Sequence, residues 1–326
     1  MAVQNRRMVL IVNVKRDTVP CTQRGNGGEE KNGAAPYAAH NPVTAPYGDC
    51  AEMARGIKEY ESFLSDVYTD ASCLYNRPMS ESDKKEVGRR VREHELRMVD
   101  MYVNAAITAC AHGCREGMNM YYGKAMAACG DDDYDIKANI NYSMGDALFK
   151  IKDKKGAVSF FQKYIEYRGA AKSHCAANGN GTEWEPCALD ILARLFVGDE
   201  YRAEESFYGA YIYYTAAANV MNGNDGGHMP QSCWEWVCTA QHSAAQMLEK
   251  FAEMHHMADC DRKVKKAYAA AIKTYTKYAF LFALNRHTET AARMYDKAIE
   301  ISDKINGKGS TDSIYVRRLK KDAVGF

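Results

Sequence analysis

Four side chains suited to metal or thiol chemistry, His228, Cys233, Cys238 and His242, lie close together in the chain. If a helix opens at Pro230, Cys238 and His242 sit one turn apart on one face, and two thiolates with two imidazoles are a donor set for tetrahedral zinc. Trp234 and Trp236 are interleaved with them. The cysteines and Trp234 also suit an apolar helix entering a core, and on that reading there is no metal and no cofactor. Cys110 and Cys114 form a second set, again one turn apart, but His112 points elsewhere on the same helix. Structural zinc takes four ligands, usually in tighter pairs, so core packing is expected there.

Two other motifs fail on their own chemistry. Asp131-Asp132-Asp133-Tyr134-Asp135 opens like a calcium loop, yet Ile136 stands where the turn glycine belongs and Tyr142 where a bidentate carboxylate is needed. Acidic residues at a helix N-terminus, complementing its dipole, account for the run. Asn306-Gly307-Lys308-Gly309-Ser310-Thr311 has phosphate-loop residue types without the full spacing or a preceding strand, and reads as a helix stop. No nucleophile elbow or kinase signature occurs. No catalytic residue is assigned, and the chain is expected not to be an enzyme. The alternative is a metal- or thiol-dependent helical enzyme using residues 228–242.

The elements that must position such groups are helices. Apolar residues at 46% and charged residues at 26% are ordinary for a globular chain, and a net charge of +1 argues against nucleic acid as the main partner. The run Met8–Val12 after Arg6 and Arg7 is too short for a secretory signal, and no stretch nears the roughly 18 apolar residues of a membrane span. Eleven cysteines without such a signal imply reduced thiols in a cytosolic-type compartment. Residues 1–49 carry Gly25-Asn26-Gly27-Gly28 and a repeated Ala-Pro-Tyr ending at Tyr37 and Tyr47. Proline and glycine at this density predict an extended arm.

From residue 50 the pattern is helical. Helices are expected at about 50–68, 80–113, 114–128, 134–151, 154–168, 186–197, 199–220, 231–257, 260–284 and 288–305. Glycine and asparagine interrupt them at 178–181 and 222–227. The exposed side of the second helix is basic through Lys84, Lys85, Arg89, Arg90, Arg92 and Arg97. A solvated face and an acidic partner explain it equally.

Within this pattern a spacing recurs. Met144-Gly145, Leu148, Ala157, Phe161 and Tyr164 are echoed by Tyr278-Ala279, Phe282, Ala291, Tyr295 and Ala298, with a weaker copy at Ala105, Gly117 and Tyr121. Close helix crossings need small residues, with large ones on the ridges beside them. The pattern resembles the tetratricopeptide repeat, although Asn141 replaces an aromatic residue and residues 186–257 fit only with forcing. The resemblance implies an all-α fold, an α-solenoid of antiparallel hairpins, spanning 50–305 between the arm of 1–49 and a basic C-terminal tail of 306–326.

Such a fold implies other proteins as partners and no small-molecule substrate. Tyr208, Tyr211, Tyr213 and Tyr214 crowd one helix, so some must face outward, where Tyr208 and Tyr211 suit protein recognition. Tyr37 and Tyr47 in the arm, and Arg317, Arg318, Lys320 and Lys321 in the tail, are further candidate contacts. The expected role is a scaffold, a structural subunit of a large intracellular assembly. Its setting would be cytoplasmic and cytoskeletal, such as ciliary microtubules, or a mitochondrial complex. An exchangeable peptide-binding adaptor is the other non-enzymatic reading.

Overall fold

The computed structural model describes residues 50–76, 79–177, 188–220, 231–257 and 260–325. The arm of 1–49, with Tyr37 and Tyr47, lies outside the described residues, as do His228 and the two glycine-asparagine segments. The described residues are all-α, and the chain divides into two units, 1–128 and 129–326.

In the first unit α1 (Cys50–Tyr75) packs on α2 (Glu81–Ala111), which packs on α3 (Arg115–Ala128). Ser80 caps α2 by accepting a hydrogen bond from the Asp83 N–H at 3.1 Å. Much of the basic side of α2 is neutralised along its own helix. Lys84 pairs with Glu81, Arg89 with Glu86 and Glu93, Arg90 with Glu86, and Arg92 with Glu95. Such exposed pairs mark a solvated helix face.

The second unit contains α4 (Tyr134–Lys150), α5 (Lys154–Ala177), α6 (Ala188–Ala203), α7 (Phe207–Ala218), α8 (Gln231–Met254), α9 (Asp261–Leu284), α10 (Thr288–Asn306) and α11 (Thr311–Val324). Each helix packs on the next in sequence, and α6 also meets α8 as α9 meets α11. This neighbour-to-neighbour order is that of an α-solenoid. Three-residue turns close the hairpins α4–α5, α6–α7 and α9–α10.

One constraint sets the first two of those hairpins. At Gly145 an added Cβ would lie 3.0 Å from the Phe161 ring, and at Gly198 it would lie 2.9 Å from the Tyr214 ring. The aromatic side chain of the returning helix thus packs straight onto backbone. Gly198, which falls between the expected helices 186–197 and 199–220, lies inside α6 as a crossing point. The set Gly198, Ala210, Tyr214 and Ala217 is buried and repeats the spacing of Gly145, Ala157, Phe161 and Tyr164, and of Ala279, Ala291, Tyr295 and Ala298. Part of the region that fitted only with forcing is therefore a full hairpin. Leu148 and Phe282 are buried beside the small residues.

The turns repeat as well. Lys152, Glu205 and Arg286 adopt positive φ, and the next residue's N–H reaches back to the carbonyls of Leu148, Tyr201 and Phe282. These are left-handed helix ends of the Schellman type, built without glycine. The α2–α3 turn uses Gly113 instead, with the Cys114 N–H bonded to the Ala109 carbonyl. That turn sets the equivalent positions at Ala106 and Met118, the second of them a large residue, while Gly117 of the expected pair approaches Ala109 closely.

A buried ion cluster joins α5 to α6. Asp190 is fully buried and takes both carboxylate bonds of Arg168, each at 3.0 Å, together with the Tyr164 hydroxyl at 2.9 Å. Arg168 also donates to Asp135 on α4 at 2.7 Å. Removing one partner from a buried pair of this kind costs about 3–5 kcal/mol, because the other charge is stranded.

The expected tail is a correction. Residues 311–324 form a helix, capped by Ser310, whose Oγ accepts from the Ser313 N–H at 3.3 Å. Val316 is buried and the helix lies on α10 and α9. Gly307 and Gly309, both at positive φ, turn the chain from α10 into it, so the glycine motif ends one helix and precedes another.

Overpacking a crossing should be costly where empty space is not. Gly198→Val is expected to lose about 1–3 kcal/mol of stability in urea unfolding. Gly169→Ala, on α5 where nothing lies within 4 Å, should gain about 0.5–1 kcal/mol. Equal effects of the two would remove the ring-on-backbone account.

Candidate functional site

The structure keeps Cys233 and Cys238 in the core. Both are fully buried, beside Trp234, whose ring stacks on Tyr278 at 5.7 Å and meets Phe282 edge-on at 5.1 Å. Burial pushes the Cys238 thiol well above its ordinary value, with Glu235 adding to the effect. That is the opposite of an activated nucleophile. His242 is half-buried among Tyr268, Tyr275 and Gln246, and burial, then Lys297, lower its pKa. Among the described residues no group of three His, Cys, Asp or Glu is placed to hold a metal. Cys110 is likewise buried, while Cys114 is exposed.

The candidate recognition residues separate. Tyr208 is exposed and leans on Phe251, Tyr211 is half-buried, and Tyr214 is a core residue that donates to Asp199 at 2.5 Å. On α11, Arg317 binds Asp303 at 2.8 Å and Lys320 binds Asp296 at 2.7 Å, which commits both to holding α11 on α10. Arg318 and Lys321 remain exposed without an ion pair among the described residues.

A groove that none of these readings anticipated lies between α9 and α11. Its volume is about 790 Å³. Ala269, Ile272, Thr276 and Phe280 line it from α9, and Tyr315, Val316 and Leu319 from α11. The α9 residues follow helical periodicity and form one stripe. Phe280 and Tyr315 are 51% and 60% exposed, more than core residues of their size would be. Lys265, Lys266, Lys273 and Lys277 also line it. Among the described residues none of the four has a carboxylate partner; Lys277 only lies over the neighbouring Tyr278 ring at 5.3 Å. The single lining carboxylate, Asp312, accepts from the Asn306 amide at 3.1 Å. The groove therefore offers an apolar surface under uncompensated positive charge.

No protein-family model matches the sequence, and no curated protein is significantly similar to it. Among solved structures, BtubC (BKLC) from P. vanneervenii is similar over 79% of this chain and 94% of its own, at 14% identity and a TM-score of 0.35. The TPR2AB domain of yeast Sti1, in complex with an HSP90 peptide, matches 81% of this chain and 99% of its own, at 14% identity and a TM-score of 0.19. At these scores neither bears on what this chain does. Among the described residues no helix is long and apolar enough to cross a membrane.

Two measurements probe the site chemistry. Under native conditions iodoacetamide should label Cys73 and Cys114, which are exposed, and reach Cys233 and Cys238 only after unfolding. Rapid native labelling of Cys238, read by mass spectrometry, would restore the thiol-enzyme reading. His242 has a folded pKa below the ordinary 6.5, so the unfolded chain binds its proton more readily. Stability should then fall as pH drops through about 6.5, and His242→Gln should flatten that part of the profile.

Proposed function

We propose that this chain is a non-enzymatic protein-interaction scaffold. The observation that carries the proposal is the α9–α11 groove, where apolar side chains and unpaired lysines stand open on a body of stacked hairpins. Such a body positions rigid concave surfaces and needs no moving part to hold a polypeptide. A small-molecule enzyme would instead gather groups with shifted protonation inside a cleft. The groove presents lysines with room for a chain.

Within that class the favoured reading is a fixed subunit of a larger intracellular assembly, with Tyr37 and Tyr47 of the 1–49 arm as further contacts. Ciliary microtubule structures and a mitochondrial complex are the settings to be tried first. The exchangeable adaptor is the second reading, and the groove itself favours it, since a groove suits a segment better than a domain.

Size separates these two. A tagged full-length chain, purified from its own cells, should elute with a protein partner at constant stoichiometry, far above its own 36.5 kDa. Deletion of residues 1–49 should release it if the arm anchors it. Elution as a bare monomer at all salt concentrations would remove the fixed-subunit reading and leave the adaptor.

A further inference from the structure

The three matching hairpins can be compared position by position, and the third differs from its siblings where the groove forms. One residue after the small crossing position stand Asp146, Asp199 and Phe280. In the second hairpin that aspartate accepts the hydroxyl of the ring packed on the crossing, Tyr214 to Asp199 at 2.5 Å. In the first hairpin the ring is Phe161, which has no hydroxyl to satisfy. In the third the ring is Tyr295, fully buried, and its hydroxyl has no hydrogen-bond partner. Phe280 has taken the acceptor's place, and both Phe280 and Tyr295 line the groove.

The lysines show the same divergence. The positions of Lys273 and Lys277 are held by Asn139 and Ser143 in the first hairpin, and by Leu192 and Phe196 in the second. Basic side chains at these two sites belong to the third hairpin alone. An exposed aromatic, an unsatisfied hydroxyl and unpaired charges at one place each oppose stability, and such local violations mark sites that serve binding.

We infer that this groove receives an acidic segment of a partner protein that also carries bulky apolar side chains. The inference rests on the scaffold reading and names its ligand chemistry. Carboxylates answer four ammonium groups set against the single carboxylate of Asp312. Apolar side chains of the segment cover Ile272 and Phe280. Ile272 and Phe280 are about 12 Å apart along the axis of α9 at 1.5 Å per residue. An extended chain covers that distance in about four residues. The segment therefore presents its two apolar anchors four positions apart, with Asp or Glu among and beside them.

Fluorescein-labelled peptides test this on the full-length chain by anisotropy. The probe set comprises an acidic peptide with leucine and phenylalanine four positions apart, its basic counterpart with the same anchors, and an acidic peptide with alanine at both anchors. The first should bind, and more weakly as salt rises; the other two should bind at least about tenfold less tightly. Lys273→Glu with Lys277→Glu should weaken the first peptide about tenfold. Phe280→Asp restores the residue of the sibling hairpins and gives Tyr295 an acceptor, so it should weaken binding without lowering the unfolding midpoint. Equal binding of the basic peptide, indifference to the lysine reversals, or preference for single-stranded RNA or phosphatidylserine vesicles over every peptide would overturn the inference. If the chain still elutes with a partner protein while the acidic peptide fails, the scaffold reading stands and this ligand chemistry falls.

Discussion

An aromatic ring resting on bare backbone is the contact that sets two of the three matching hairpins of the C-terminal unit. Phe161 on Gly145 and Tyr214 on Gly198 bring paired helices closer than any Cβ would permit without displacement. Crossings this close leave few packing alternatives, because the ridges on either side must interdigitate once the axes are drawn together. The turns then fix the other end of each hairpin. Lys152, Glu205 and Arg286 each stand seven residues after the small position, at positive φ. A left-handed backbone costs about 1–2 kcal/mol for a residue with a Cβ. Its repetition at three equivalent places means that the helix pairing on one side and the returned hydrogen bonds on the other outweigh the cost.

Positive charge on this molecule has two different fates. On α2 the arginines face glutamates three or four residues away, so much of the helix surface is neutral before any partner arrives. On α9 the four groove lysines form no ion pair among the described residues, not even Lys265 with Asp261 four residues before it, and the stripe beside them is apolar. The first arrangement is a solvated surface and the second a surface still in want of its counterpart. Arg317 and Lys320 on α11 belong with the first kind, since their ion pairs fasten that helix to α10. Counting basic residues along the sequence cannot separate these cases, because the difference lies in which carboxylates the fold brings near.

The helices were legible because a small residue followed by another after twelve positions and a ring after sixteen is a direct statement about crossing geometry. The second hairpin was missed for a physical reason. The expected helices 186–197 and 199–220 part at Gly198, while the real break, at Glu204-Glu205-Ser206, carries no glycine at all. The last helix was missed because Lys320 and Lys321 read as a solvated tail, whereas Ser313 and Val316 supply a buried side one turn apart. The cysteine and tryptophan cluster was legible in its plainer sense, since Cys233, Trp234 and Cys238 share the core. The groove was not legible, for it joins α9 to a helix that had not been expected.

One substitution links the architecture to the site. Replacing the aspartate of the sibling hairpin by Phe280 removes a good acceptor from Tyr295 and exposes an aromatic ring, and neither change helps the hairpin to fold. A chain whose stability came from one undivided core would feel that loss throughout. In a solenoid each repeat leans mainly on its neighbours, so the loss stays local. Here α11 covers part of the exposed face, with Val316 buried against it, while the neighbouring Tyr315 stays exposed and extends the groove. The helix that stabilises the altered hairpin is thus also the wall of the site, and the groove lies at the junction between them.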